Sequence, residues 1–158
     1  MPKKNIEIER KFLVRDIPFD LNNFKSCFIR QGYIFINPVM RLRQMDENYF
    51  FTFKGDGQVK RVEFEVPLSF EQFSALWEKV EGNEIVKKRY FVPLKNNYIA
   101  ELDIYEGRLA GFKNVEVEFN NEDEAMEFEP PKWFGEDITF NPEYTNANIS
   151  FFGLNNQK

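Results

Sequence analysis

Charge follows a period of two in nearly every extended segment of this chain, and that regularity restricts the available folds more than any other feature. In "NIEIERKFLV" (residues 5–14), Glu7, Glu9 and Lys11 fall on one side of a strand and Ile6, Ile8 and Phe12 on the other. Arg41 and Arg43 share a side in "VMRLRQ", with Leu42 opposite. Lys54 shares a side with Thr52, against Phe51 and Phe53. Arg61, Glu63 and Glu65 oppose Val62, Phe64 and Val66. Lys87 and Arg89 oppose Val86, Tyr90 and Val92, Glu101 and Asp103 oppose Leu102 and Ile104, and Glu116 and Glu118 oppose Val115, Val117 and Phe119.

The alternation predicts strands near 5–14, 28–36, 39–45, 48–54, 59–67, 84–94, 97–105 and 113–119. Turn chemistry separates them at Asn37–Pro38, Asp46–Asn48, Gly55–Gly57 and Lys95–Asn97. Ser69 followed by Gln72 forms a capping box for a helix through "SFEQFSALWEKVEG", with Phe70, Phe73, Leu76, Trp77 and Val80 inward and Gly82 as its stop. A second short helix is expected in "NEDEAMEFE", halted by Pro130–Pro131, and a last one after Tyr144; the tail from Trp133 is otherwise irregular. With no linker or repeat, all 158 residues read as a single domain.

Taken singly, each strand also fits the solvated face of an open sheet packed on helices. Three features favour a closed barrel with its charges inside. The charges sort by sign, with acidic pairs on some strands and cationic pairs on others, whereas a soluble surface mixes signs. Too few helices exist to cover so many Phe, Ile and Val side chains. The pattern also extends to nearly all the strands. The expected fold class is therefore mainly β (α+β), an eight-stranded antiparallel closed barrel with a few helices packed outside.

Composition removes whole classes of chemistry. The chain has no histidine, which excludes His-based zinc sites and Ser-His-Asp triads. The formal charge of −5 argues against a nucleic-acid partner. Cys27 is the sole cysteine, so a reducing compartment, the cytoplasm, is expected. The opening "MPKKNIEIER" turns charged before an apolar signal region forms, and no apolar run is long enough to span a membrane. Like charges crowded in a cavity cost roughly several kcal/mol each unless neutralised. The acids Glu7, Glu9, Glu63, Glu65, Asp103, Glu116 and Glu118 call for a hard cation held by oxygen, Mg²⁺, Mn²⁺ or Ca²⁺. The bases Lys11, Arg41, Arg43, Lys54, Arg61, Lys87 and Arg89 call for a polyanion. A metal-chelated polyphosphate satisfies both.

"EIERKFL" resembles the E-x-E-x-K signature of the CYTH superfamily, the triphosphate tunnel metalloenzymes. "RQGYI", "MRLRQ", "FTFKGDG", "RVEFEV", "KKRYFV", "ELDIYEG", "NVEVEF" and "WFGEDIT" follow in the order of small bacterial members, from about Ile6 to about Asn146. The resemblance implies a triphosphatase working with Mg²⁺ or Mn²⁺ on a small-molecule triphosphate, without nucleic acid or membrane, and it leaves room for a homodimer. It implies Glu7, Glu9, Glu116 and Glu118 as main metal ligands, supported by Glu63, Glu65 and Asp103. Lys11, Arg41, Arg43, Lys54, Lys87 and Arg89 become phosphate clamps, with Arg61 a further contact. Tyr33 matches a tyrosine that tripolyphosphatase-type members pair with the signature lysine, here Lys11, at the scissile end. Lys87 is implied as a clamp or a proton-transfer group, and a lysine in such company is expected to stay charged. These features favour inorganic tripolyphosphate, with nucleoside triphosphates weaker. Class IV adenylyl cyclase, thiamine triphosphatase and a non-catalytic polyphosphate- or nucleotide-binding module are the alternatives. The tail keeps Tyr144 and Asn146 but surrounds them with Glu143, Thr145 and Ala147, leaving its role at a tunnel mouth open.

Overall fold

In the computed structural model, which describes residues 3–57 and 59–154, the strands are β1 (Lys3–Val14), β2 (Lys25–Ile36), β3 (Val39–Met45), β4 (Asn48–Lys54), β5 (Lys60–Leu68), β6 (Glu81–Pro93), β7 (Ile99–Tyr105), β8 (Lys113–Glu118) and β9 (Phe134–Asp137). The helices are α1 (Phe70–Trp77), α2 (Glu122–Glu127) and α3 (Asn146–Phe152). Hydrogen bonding runs β5-β4-β3-β2-β6-β7-β8-β1, and β1 returns to pair with β5. Eight antiparallel strands therefore close on themselves, which joins the two edges that an open sheet would leave.

β1 makes the closure by changing neighbours along its length. Residues 3–8 pair with β5, whereas residues 9–13 pair with β8. The short β9 adds to the outer end of β1, setting Phe12 against Asp137 and Val14 against Phe134. No alternation in "FGED" announces this strand.

The main apolar core lies outside the barrel wall. Phe12, Leu102, Val115, Val117 and Phe119 point outward and are covered by Ala125 of α2 and by Trp133 and Phe134. A smaller cluster, Tyr33, Ile85, Tyr105, Ala147 and Ile149, joins α3 to the barrel. Among the described residues, no helix is long and apolar enough to cross a membrane.

The predicted capping box is present at Ser69 and Gln72, but α1 is shorter than expected. It ends at Trp77, where the amides of Lys79 and Val80 bond to the carbonyls of Leu76 and Trp77. Phe73 is its buried residue, Leu76, Trp77 and Val80 are less deeply placed, and Phe70 is 59% exposed instead of packed inward. The end of α1 presses on β2 at Gly32, where an added Cβ would lie 2.7 Å from Val80 and 3.0 Å from Trp77. That close approach requires glycine. Gly82 lies within β6 rather than stopping the helix.

Candidate active site

Register determines which charges meet. Lys11 faces Glu116 across β1 and β8, an opposite-sign pair, but Glu9 faces Glu118 directly. Glu101 likewise faces Glu116 across β7 and β8. Like charges directly opposite destabilise a sheet. Their repetition on adjacent strands builds an acidic wall that the fold alone does not reward.

The wall borders a cavity of about 460 Å³ inside the barrel. Glu7, Glu9, Lys11, Tyr33, Arg41, Arg43, Lys54, Arg61, Glu63, Glu65, Arg89, Glu116 and Glu118 all line it. Lys87 and Asp103 do not. Both side chains are completely buried, with Lys87 Nζ 2.6 Å from Asp103 Oδ2. Glu101, on the same strand side as Asp103 and absent from the expected site, does line the cavity. Period two identifies the inward side but says nothing of depth along the tunnel. Gln31 and Thr52 are buried polar residues of the interior that a search for charge passes over.

The acids are incompletely neutralised. Lys54 Nζ donates to both Glu7 oxygens at 3.0 and 3.1 Å, and Arg61 Nε donates to Glu7 at 3.3 Å. Burial raises the Glu7 carboxyl, but Lys54, a hydrogen bond from Glu63 and Arg61 outweigh it and hold Glu7 well below the usual range. Burial and that same hydrogen bond push Glu63 up to about 7. Burial, then Glu116 and Glu7, drive Glu9 well above its ordinary value. Burial, Glu101, Glu7 and Glu116 raise Glu118. Glu7, Glu9 and Glu118 each bring one oxygen within 4.8 Å of the others, a spacing that could hold a metal ion. An all-oxygen donor set in which Glu9 and Glu118 stay raised, with Arg61 3.8 Å from Glu9, fits a hard divalent cation.

The basic wall is short of acceptors. Arg41 is 4% exposed; its Nη2 donates to Thr52 at 3.2 Å, while its buried Nε has no hydrogen-bond partner among the described residues. Arg43 Nε donates to Gln31 at 2.9 Å, and Gln31 Nε2 donates to the Tyr33 hydroxyl at 3.1 Å. Burial, then Arg41 and Arg89, lower Arg43 to about 10. Such crowding favours an incoming anion. Tyr33 faces the cavity, but Lys11 Nζ donates to the Tyr144 carbonyl at 2.7 Å rather than to Tyr33.

The tail covers part of this space. Residues 138–142 and 144–147 line the cavity from two consecutive stretches that lead into α3. Thr145 caps α3 by accepting from the Asn148 amide, and the Tyr105 hydroxyl donates to Asn146 at 2.5 Å. Tyr144 stacks on Phe112 with ring centroids 6.0 Å apart.

A closed barrel that sets underpartnered guanidinium groups against crowded carboxylates defines a class, tunnel proteins suited to an anion and a hard cation together. This chain belongs to the CYTH family, whose domain matches residues 5–147. It is 41% identical over 148 residues, 91% of this chain and 96% of the relative, to a protein of Nitrosomonas europaea named inorganic triphosphatase. A second protein so named, from Acetivibrio thermocellus, is 27% identical over 146 residues, covering 90% of this chain and 92% of that one. The crystal structure of the inorganic triphosphatase NE1496 superposes with a TM-score of 0.67 at 38% identity, over 91% of this chain and 93% of that chain.

Proposed function

We propose that this protein hydrolyses inorganic tripolyphosphate in a Mg²⁺- or Mn²⁺-dependent reaction that releases orthophosphate, with nucleoside triphosphates as weaker substrates. One observation carries the reading: a single cavity joins a cationic wall containing the unpartnered Arg41 Nε to the carboxylate trio Glu7, Glu9 and Glu118. The 41% identity to a named inorganic triphosphatase supports the choice of substrate. Its lone cysteine, buried Cys27, supports work in a reducing compartment such as the cytoplasm.

Glu7, Glu9 and Glu118 hold the cation, with Glu116 and Glu63 bound to their neighbours Glu9 and Glu7 in support. When bound, the metal supplies Lewis-acid polarisation of phosphoryl oxygens. Arg41, Arg43 and Arg89 bind non-bridging oxygens and stabilise the charge that spreads over them in the transition state. Lys54 and Arg61 complete the clamp from the Glu7 side. Lys11 and Tyr33 hold, or protonate, oxygens at the scissile end. The tail lines the cavity beside Lys11, whose Nζ donates to the Tyr144 carbonyl at 2.7 Å.

Steady-state release of orthophosphate from tripolyphosphate, ATP and thiamine triphosphate tests the proposal, with each metal in turn. The expected order places tripolyphosphate first. Cyclic AMP formation from ATP with little tripolyphosphate cleavage would establish the cyclase instead, and tight metal-assisted binding without turnover would establish a binding module.

A further inference from the structure

Behind the cavity lining, as the floor beneath Arg89, lie two fully buried charges that do not border the cavity, Lys87 and Asp103. Asp103 is fully buried and accepts from Arg89 at both oxygens, from Nε at 2.8 Å and from Nη2 at 2.9 Å. Lys87 Nζ approaches the same carboxylate at 2.6 Å, with angles outside those of a regular hydrogen bond, and sits 5.3 Å from the centroid of the Tyr105 ring. The pairing is local to neighbouring positions, because Arg89 lies opposite Asp103 and Lys87 lies opposite Tyr105. Of Lys87, Arg89 and Asp103, Arg89 alone lines the cavity, where its Nη1 lies 3.4 Å from Glu101 and its Nη2 3.8 Å from Glu116.

We propose that Asp103 is a positioning residue, neither a metal ligand nor a substrate contact. It grips the Nε edge of Arg89 and fixes the direction in which that guanidinium faces the cavity, while Lys87 neutralises Asp103 from below. A planar fork held along one edge by a carboxylate keeps a single orientation, which a free arginine surrenders to side-chain entropy. Both Asp103 oxygens are already taken by Arg89, and neither borders the space that Glu7, Glu9 and Glu118 share. Asp103 has the right parity and charge for a ligand but the wrong depth.

This inference rests on the tripolyphosphatase reading for its substrate, so its test includes measurements independent of turnover. Mn²⁺ affinity is measured by equilibrium titration, and tripolyphosphate affinity by calorimetry in the presence of chelator, for wild type, Asp103→Asn, Arg89→Ala and the double variant. Asp103→Asn is expected to bind Mn²⁺ within about twofold of wild type and tripolyphosphate about tenfold more weakly, since misaiming a clamp costs on this scale. In the Arg89→Ala background, Asp103→Asn is expected to add no further loss, because it acts only through Arg89. A tenfold loss of Mn²⁺ affinity, or losses that multiply in the double variant, would overturn the proposal. Lys87→Met provides a second route if Asp103→Asn does not fold: tripolyphosphate affinity within about threefold of wild type is expected, and a loss of about a hundredfold, the mark of a direct clamp, would contradict it. If wild type proved unable to cleave tripolyphosphate, the catalytic reading would fail while the binding comparison still decided the role of Asp103.

Discussion

The floor of the tunnel and the wall above it are built from the same residue types yet reach opposite electrostatic outcomes. At the floor, Asp103 has both Arg89 and Lys87, and its carboxyl stays below its ordinary value despite complete burial. On the wall, Glu9 and Glu118 face one another, and both carboxyls are raised. A buried charge whose partners are supplied by the chain is satisfied within the fold, whereas one left short of partners marks where a ligand belongs. Lys87 shares this pairing only in part: burial brings its ammonium down to about 7, although Asp103 at 2.6 Å opposes the shift.

The largest effect expected from this contrast is at the wall. Glu118→Gln is predicted to reduce metal-dependent turnover by on the order of a thousandfold, with circular dichroism unchanged. Retained activity would erase the distinction between wall and floor. Tyr33→Phe is predicted to lower tripolyphosphate hydrolysis roughly tenfold, and ATP hydrolysis less, as loss of one hydrogen bond to a charged oxygen allows. Equal losses on both substrates would remove Tyr33 as a selector.

Two thermodynamic measurements sharpen the same contrast. Saturating Mn²⁺, at about a hundred times its dissociation constant, is predicted to stabilise the wild type by about 2.7 kcal/mol, raising Tm by roughly 5–10 °C. Asp103→Asn is predicted to keep that rise and Glu118→Gln to lose it. Metal affinity should also strengthen as pH increases from about 6 to about 7, by roughly up to tenfold per displaced proton. The sign follows from Glu63, whose carboxyl, bonded to Glu7, keeps its proton up to about 7 and must release it as Glu7 takes up the cation. Affinity independent of pH across this interval would show that Glu7 binds without disturbing Glu63.

The eight barrel strands were legible because alternation of charge against Ile, Val and Phe is a period-two signal that burial on one side imposes. Inward orientation of the site residues was legible for the same reason. Their depth was not. Glu101 and Asp103 share a strand and a side, yet one borders the cavity and the other lies beneath it, because strand tilt and stagger in a closed barrel set height along the axis. β9 was missed since four residues, "FGED", carry no periodicity, and the overlong α1 reflects side-chain spacing that continues past the last helical turn at Trp77. The tail's place over the cavity depends on tertiary contacts of Tyr144 and Asn146 that no local pattern encodes.

The most direct measurement is anomalous diffraction at the manganese edge from crystals of this protein soaked in Mn²⁺. The account predicts density bonded to Glu7, Glu9 and Glu118, with Asp103 still held by Arg89 and Lys87. Manganese bonded to Asp103, or none at the three glutamates, would contradict it.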